Sequence, residues 1–161
     1  VGVQASQNQY GGKLEYTDKK PIPLRDLDGY PGVKPPWGTL TAINLNTGKI
    51  LWQSYLGYYE SLKSKGIITG TENFGGATAT SGGLVFAAGT LDKLIRAFDV
   101  ETGKELWSHK LPFIGSAPPT SYEVNGEQYI VIPATGGITL KVNYGDLVKL
   151  GDAIVAFKIQ D

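Results

Sequence analysis

The sequence predicts an all-β protein, and within that class a partial β-propeller of about two to three four-stranded blades. Three observations carry the prediction. An eleven-residue phrase is spelled twice, AINLNTGKILW at Ala42–Trp52 and AFDVETGKELW at Ala97–Trp107, with Ala, Thr-Gly-Lys and Trp held fixed. The copies are in strict register, 55 residues apart at Ala, Gly and Trp alike, and AFKI at Ala156–Ile159 begins a third copy 59 residues after AFDV. Finally, 22 glycines and 9 tyrosines in 161 residues suit short strands joined by tight turns. Repeats of about 40 to 60 residues with several strands each are the spacing of propeller blades, whose sheets bury both faces against their neighbours.

Residues 1–37 form a proline-rich, irregular lead-in. KKPIPLRD, DGYPG and KPPWG hold prolines too densely for a regular element, Pro31-Gly32 marks a turn, and Lys34 to Trp37 reads as extended. Residues 38–161 hold the blades. TLTAINL alternates as a strand, NTGK is a turn and ILWQSYLG a second strand. SYLGYYESLKSKG fits a helical turn or a loop equally well. GGLVFAAGT is a glycine-bounded apolar strand, and KLIRAFDV, ETGK and ELWSHKL repeat the strand-turn-strand unit. SYEV and EQYIVIPA flank Asn125-Gly126, the dipeptide that favours a type I′ hairpin turn. GDAIVAFKIQD is a last alternating strand.

The repeated phrase has a physical explanation. Thr-Gly gives the turn a residue that accepts positive φ, and the lysine beside it tolerates exposure. Asn44 and Asp99 share the position from which a side-chain oxygen can hold the turn amides. Alanine leaves a shallow seat, and tryptophan can lie over a neighbouring blade's seat and bury about 150–250 Å². The phrase describes architecture, not chemistry.

Composition excludes several classes. Lysines and arginines number 15 against 15 aspartates and glutamates, so nothing draws the chain toward nucleic acid or anionic membrane. Without cysteine there is no disulfide, thiolate metal site or cysteine nucleophile, and no clue to redox compartment. No apolar run approaches the roughly 20 residues that span a bilayer, and VGVQASQNQY lacks a secretory apolar core. P-loop, GxGxxG and HExxH spacings do not occur. His109 is the only histidine and reads as a surface residue, which argues against hydrolase or metal chemistry. Asp92 and Arg96 read as a pair across a strand end, and Lys19, Lys20, Lys63 and Lys65 as solvated loop charges. The chain opens on Val1 and holds no methionine, which fits a processed protein or a piece of a longer one.

The phrase A-x-[DN]-x-x-T-G-K-x-x-W resembles the tryptophan-docking motif of the quinoprotein dehydrogenases, eight-bladed propellers that hold pyrroloquinoline quinone (PQQ). KPPWGTLTAINLNTGKILW, TENFGGATATSGGLVFAAGTLDKLIRAFDVETGKELW, SYEVNGEQYIVIPATGG and GDAIVAF follow the order seen in the C-terminal part of that family's glucose dehydrogenases. The resemblance covers about residues 30 to 159 and is most specific from Asn73 to Trp107. It implies a periplasmic parent, membrane-anchored or free, that oxidises a sugar hydroxyl with PQQ and a divalent cation, usually Ca2+, and passes electrons to ubiquinone or a cytochrome. It further implies that Asn73, Phe74, Gly75 and Gly76, then Thr135, Gly136 and Gly137, and less directly Trp37 in Pro36-Trp37-Gly38, face the quinone. On spacing alone Asn73 is a turn residue, Trp37 a packing residue and Gly136-Gly137 an ordinary loop. Paired glycines let amides approach an anion, and an asparagine can donate to a carbonyl or carboxylate.

Other family features have no counterpart here. The catalytic Asp, the metal ligands and the tryptophan floor under the quinone come from earlier blades. LPFIGSAP stands where relatives carry LPAGG, ATGG replaces a cysteine-and-glycine run, and KVNYGDLVK lengthens the last loop. The chain is therefore expected to be a C-terminal fragment, inactive alone, whose partners are the remaining blades. Its last strand would pair with strands from the absent N-terminus, and alone it presents an apolar edge open to dimerisation. The competing expectation is a cofactor-free propeller scaffold for protein–protein interaction, like the outer-membrane assembly lipoproteins that share the docking repeats.

Overall fold

A computed structural model describes Ser6–Gln7, Lys13–Leu14 and residues 23–158. The chain divides into two compact units, Val1–Val33 and Lys34–Asp161. In the first, β1 (Ser6–Gln7) pairs antiparallel with β2 (Lys13–Leu14). Asp26 shapes a turn there, its Oδ1 accepting from the amides of Asp28 at 3.0 Å and Tyr30 at 2.8 Å. Lys19, Lys20 and Ile159 lie outside the described residues.

The second unit is built from three antiparallel sheets. β3 (Thr39–Asn44) and β4 (Lys49–Tyr55) form the first. The second is a four-stranded meander of β5 (Ala77–Ala79), β6 (Leu84–Ala87), β7 (Leu94–Asp99) and β8 (Glu105–Lys110). The third has the order β11-β10-β9, with β9 (Thr120–Val124), β10 (Glu127–Ala134) and β11 (Ala153–Lys158). The hairpin between β9 and β10 turns at Asn125 (φ 54°) and Gly126 (φ 80°), both left-handed as a type I′ turn requires.

Among the described residues two helices interrupt the strands. α1 (Glu60–Lys63) is the single turn that SYLGYYESLKSKG allowed. α2 (Ile138–Tyr144), followed by a 3-10 turn at Gly145–Leu147, occupies the stretch read from sequence as a lengthened loop. Leu140, Tyr144 and Val148 are all buried. Their four-residue spacing puts one apolar stripe on the core side.

The twin phrases fold alike. Ala42 pairs across the ladder with Trp52, and Ala97 with Trp107; each ladder slips by one residue immediately after the alanine. Asn44 Oδ1 accepts from the amides of Asn46 (2.9 Å) and Thr47 (3.1 Å), and Asp99 Oδ1 from those of Glu101 (3.2 Å) and Thr102 (2.8 Å). The indole seat differs from expectation. Each alanine faces its own tryptophan within one sheet, so the surface that receives Trp52 is instead the turn of the next sheet. Trp52 Nε1 donates to the Val100 carbonyl at 2.9 Å, and Ser54 Oγ donates to the Gly103 carbonyl at 2.6 Å.

Three apolar clusters bind the sheets. Leu56 and Leu40 pack with Val85, Ala87 and Phe98, joining the first sheet to the second. Ala88, Ile95 and Leu111 pack with Ile130, Ile132 and Ala134, joining the second to the third. Ile114, Leu140, Tyr144 and Val148 seat α2, with Tyr59 and Leu91 against them.

Candidate functional site

The loops at one end of the sheets converge on a cleft of about 520 Å³. Phe74 enters from the loop before β5, Ser116 from the segment before β9, and Thr135 and Gly137 from the link between β10 and α2, with Leu140 and Leu150 completing the apolar wall. The two later segments meet because they pair with each other. Gly115 bridges Ala134, Ser116 N donates to the Pro133 carbonyl at 3.0 Å, and Gly136 N donates to the Ile114 carbonyl at 2.9 Å.

Asn73 organises the first loop. Its Oδ1 accepts from the amides of Gly75 (3.1 Å) and Gly76 (3.2 Å), while its Nδ2 donates to the Ala88 carbonyl. That side chain is spent on backbone groups of its own loop and of the segment after β6, and Phe74 beside it is 49% exposed. Gly75 is buried against the Ala88 carbonyl, where a methyl group would sit 2.6 Å from that oxygen. Of the glycines singled out from sequence, Gly75, Gly76 and Gly136 thus have their amides engaged internally, whereas Gly137 borders the cleft.

Trp37 is not part of the cleft wall. Its amide donates to the Thr69 carbonyl at 2.7 Å, and its ring stands edge-on to Tyr59 at 5.5 Å. The Tyr59 and Tyr144 hydroxyls lie 3.1 Å apart, tying this corner to α2. Sequence reasoning missed Ser116. The glycine-serine step in LPFIGSAP looked like a departure from the family pattern, and only the pairing with β10 turns it inward.

Apart from the cleft lining, a charged cluster is buried at Asp92 and Arg96. Asp92 and Arg96, both buried, form a direct ion pair; Arg96 Nε donates to Glu105 Oε2 at 3.1 Å, and Asp92 accepts from Thr90 Oγ1 at 2.6 Å and the Tyr58 amide at 3.1 Å. The pair is part of the framework, holding the loop that carries Tyr58 and Tyr59. His109 is exposed on β8 and stacks on Trp107 at 6.1 Å. Among the described residues no group of three or more His, Asp or Glu could hold a metal ion, and no helix is long and apolar enough to cross a membrane.

A planar tricarboxylate such as PQQ needs flat walls for its rings and positive groups for its charges. The residues here meet the first need, through Phe74 and glycine backbone. They do not meet the second: no charged side chain lines the cleft, and beside the Asn73 loop Glu72 Oε2 is buried without a hydrogen-bond partner. What this chain offers is an uncharged wall.

Comparison with known proteins agrees with this architecture. Residues 3–130 match the family model "PQQ: Glucose/ethanol/alcohol dehydrogenase, beta-propeller domain". The chain belongs to that family of PQQ-dependent dehydrogenase propellers. It is 36% identical over 138 residues to quinoprotein glucose dehydrogenase A of Acinetobacter calcoaceticus, a match spanning 83% of this chain and 16% of that protein. It is 39% identical over 144 residues to the glycerol dehydrogenase large subunit of Gluconobacter oxydans, spanning 83% and 19% respectively. The crystal structure of quinohemoprotein alcohol dehydrogenase from Comamonas testosteroni superposes with a TM-score of 0.59 at 23% identity, covering 80% of this chain and 17% of that one, which shows the fold. The all-β expectation is met by a partial propeller. The chain spans less than a fifth of the length of these relatives.

Proposed function

We propose that this chain forms the closing blades of a larger, periplasmic PQQ-dependent dehydrogenase acting on a sugar or related polyol. The convergence of Phe74, Thr135 and Gly137 on one cleft, within a chain of this family, carries the reading. Held by the complete protein with a divalent cation such as Ca2+, the quinone would supply a two-electron acceptor for the alcohol carbon, with ubiquinone or a cytochrome as the onward acceptor. This chain's own part is positional. Asn73 fixes the loop, Phe74 and the glycines present a flat wall, and Leu140 and Leu150 exclude water from one side. The general base, the metal ligands and the counter-charges for the carboxylates belong to other blades. The chain alone therefore does not turn over, and its free β11 edge finds its partner in the rest of the ring or in a second copy.

The test is reconstitution of the whole ring. Adding PQQ and Ca2+ to the full-length apoprotein restores dye reduction with glucose or glycerol, while the isolated 161 residues give none. A flat response to every sugar and alcohol would favour a cofactor-free scaffold, and turnover by the isolated chain would refute the assignment of base and metal to other blades.

A further inference from the structure

Four glycines bracket α2, and they divide into two kinds. Gly136 and Gly151 are jammed: a methyl group on the first would sit 2.2 Å from the Lys149 carbonyl oxygen, and on the second 2.2 Å from the Phe113 ring. Backbone hydrogen bonds pin the same two residues, Gly136 N donating to the Ile114 carbonyl at 2.9 Å and Gly151 N to the Thr135 carbonyl at 3.0 Å. Gly137 and Gly145, at the two ends of the helix, are roomy. A methyl group on Gly137 would meet nothing closer than 3.9 Å, and on Gly145 nothing within 4 Å. Both hold left-handed φ angles, 69° and 56°, that a residue with a Cβ rarely adopts. The chain is clamped outside the helix and free to turn at its two ends, which is the distribution a hinged element needs.

The helix is held from one side. Seven residues are too few for a helix to be stable by itself in water, and no side chain caps it at Gly137. Ile138 and Val142 on its outer side are 65% and 66% exposed, whereas Leu140 and Tyr144 are buried in the cluster with Ile114 and Tyr59. The Tyr59 and Tyr144 hydroxyls, 3.1 Å apart, close that contact. The Lys141–Asp146 pair spans the Gly145 hinge at 3.0 Å, but its carboxylate stands in open solvent and holds weakly. What the helix covers is the cleft, since Ile138, Thr139 and Leu140 are part of its lining.

We infer that α2 is a hinged lid on the cleft, turning about Gly137 and Gly145 and latched shut by the Tyr59–Tyr144 hydrogen bond. Opening withdraws Ile138, Thr139 and Leu140 from the lining and leaves Phe74, Ser116 and Thr135 in place, because the clamps at Gly136 and Gly151 stay closed. The lid sets how fast the cleft fills and empties rather than how tightly it binds, since neither tyrosine is part of the lining. Its gating role rests on the assignment of this cleft to the quinone; the hinge itself does not.

The experiment uses the complete apoprotein, as wild type and with Tyr59→Phe, Tyr144→Phe or both, each of which keeps its ring and loses a latch hydroxyl. Hydrogen exchange reports the lid directly. Amides of Lys141 to Tyr144 are expected to exchange about tenfold faster in either variant, while those of Ile130 and Ile132 in β10 change by less than about twofold. The double variant exchanges no faster than the single ones, because both substitutions break the same bond. Stopped-flow absorbance with PQQ and Ca2+ gives the second readout: association and dissociation rates both rise about tenfold, and the dissociation constant stays within about twofold. Unchanged exchange in α2, or faster exchange spread equally over β10, overturns the lid. A dissociation constant that weakens at an unchanged association rate makes α2 a fixed wall and overturns the gate. A wild type that binds no quinone overturns the dehydrogenase reading, and the exchange rates then decide the hinge without it.

Discussion

The turns at Gly48 and Gly103 are nearly the same object placed in two different surroundings. Their φ angles are 67° and 68°, each follows a threonine, and each is held by the side-chain oxygen four residues before the glycine. Around Gly103 the Trp52 indole closes down, so that a methyl group there would sit 2.4 Å from the ring. Around Gly48 the same methyl would meet nothing within 4 Å. The tryptophans show the mirror image of this difference. Trp52 is half-buried on the neighbouring sheet, whereas Trp107 is 39% exposed and rests edge-on against Phe157 at 5.2 Å. Identical local sequence gives identical local shape, but the indole is seated only where the adjoining sheet brings a turn against it.

That comparison is sharpest when both tryptophans are truncated. Trp52→Ala removes a seated indole with a 2.9 Å hydrogen bond and is expected to cost about 3–5 kcal/mol, the range for large aromatic deletions. Trp107→Ala removes less buried surface and no seat, and should cost about 1–2 kcal/mol. Urea midpoints for the two variants measure the difference, and equal losses would show that the neighbouring turn adds nothing to the indole's worth.

Glycine substitutions probe the other half of the contact. Both positions carry the left-handed penalty of about 1–2 kcal/mol for a residue with a Cβ. Gly103→Ala adds overpacking against a ring held in place by hydrogen bonding, for a total of about 2–4 kcal/mol. Gly48→Ala should show the backbone penalty alone. Thermal melts of the pair check this, and a Gly48→Ala loss as large as that of Gly103→Ala would mean that backbone strain, not contact, dominates at both turns.

Most of the fold was legible because its signals are local. Asn125-Gly126 determines its own φ angles, and the alternation in β3 and β11 follows from the two-residue period of a strand. The short strand at Ala77–Ala79 escaped notice because ATA carries almost no hydrophobic contrast. The helix at Ile138–Tyr144 did announce itself through Leu140, Tyr144 and Val148, but the glycines before it drew attention to a loop instead. The site was legible only in part. Phe74, Thr135 and Gly137 do share a cleft; the inward turn of Ser116 depends on an antiparallel register between segments that no local pattern encodes. Asn73 stood out only through the family resemblance; on spacing alone it reads as a turn residue, and the structure spends it on an Asx turn.

The smallest effect separates the twin turns by charge. Asn44 and Asp99 hold equivalent amides, but only Asp99 titrates. The Thr102 hydroxyl, then the Thr102 amide and more weakly the Glu101 amide, hold its carboxyl below the ordinary aspartate range, with slight desolvation opposing them. A depressed folded-state pKa stabilises the turn above the unfolded-state value, and that contribution is lost as pH falls through the folded-state value. The second turn should therefore loosen in acid, below about pH 4, while the first does not. Amide resonances of Glu101 and Thr102, followed against those of Asn46 and Thr47, report the two turns separately. Asp99→Asn abolishes the acid transition at the second turn, and Asn44→Asp imports it into the first. If the first turn of the wild type showed the same transition, the event would be global unfolding rather than the titration of one carboxyl, and the two turns would differ only in the indole that covers one of them.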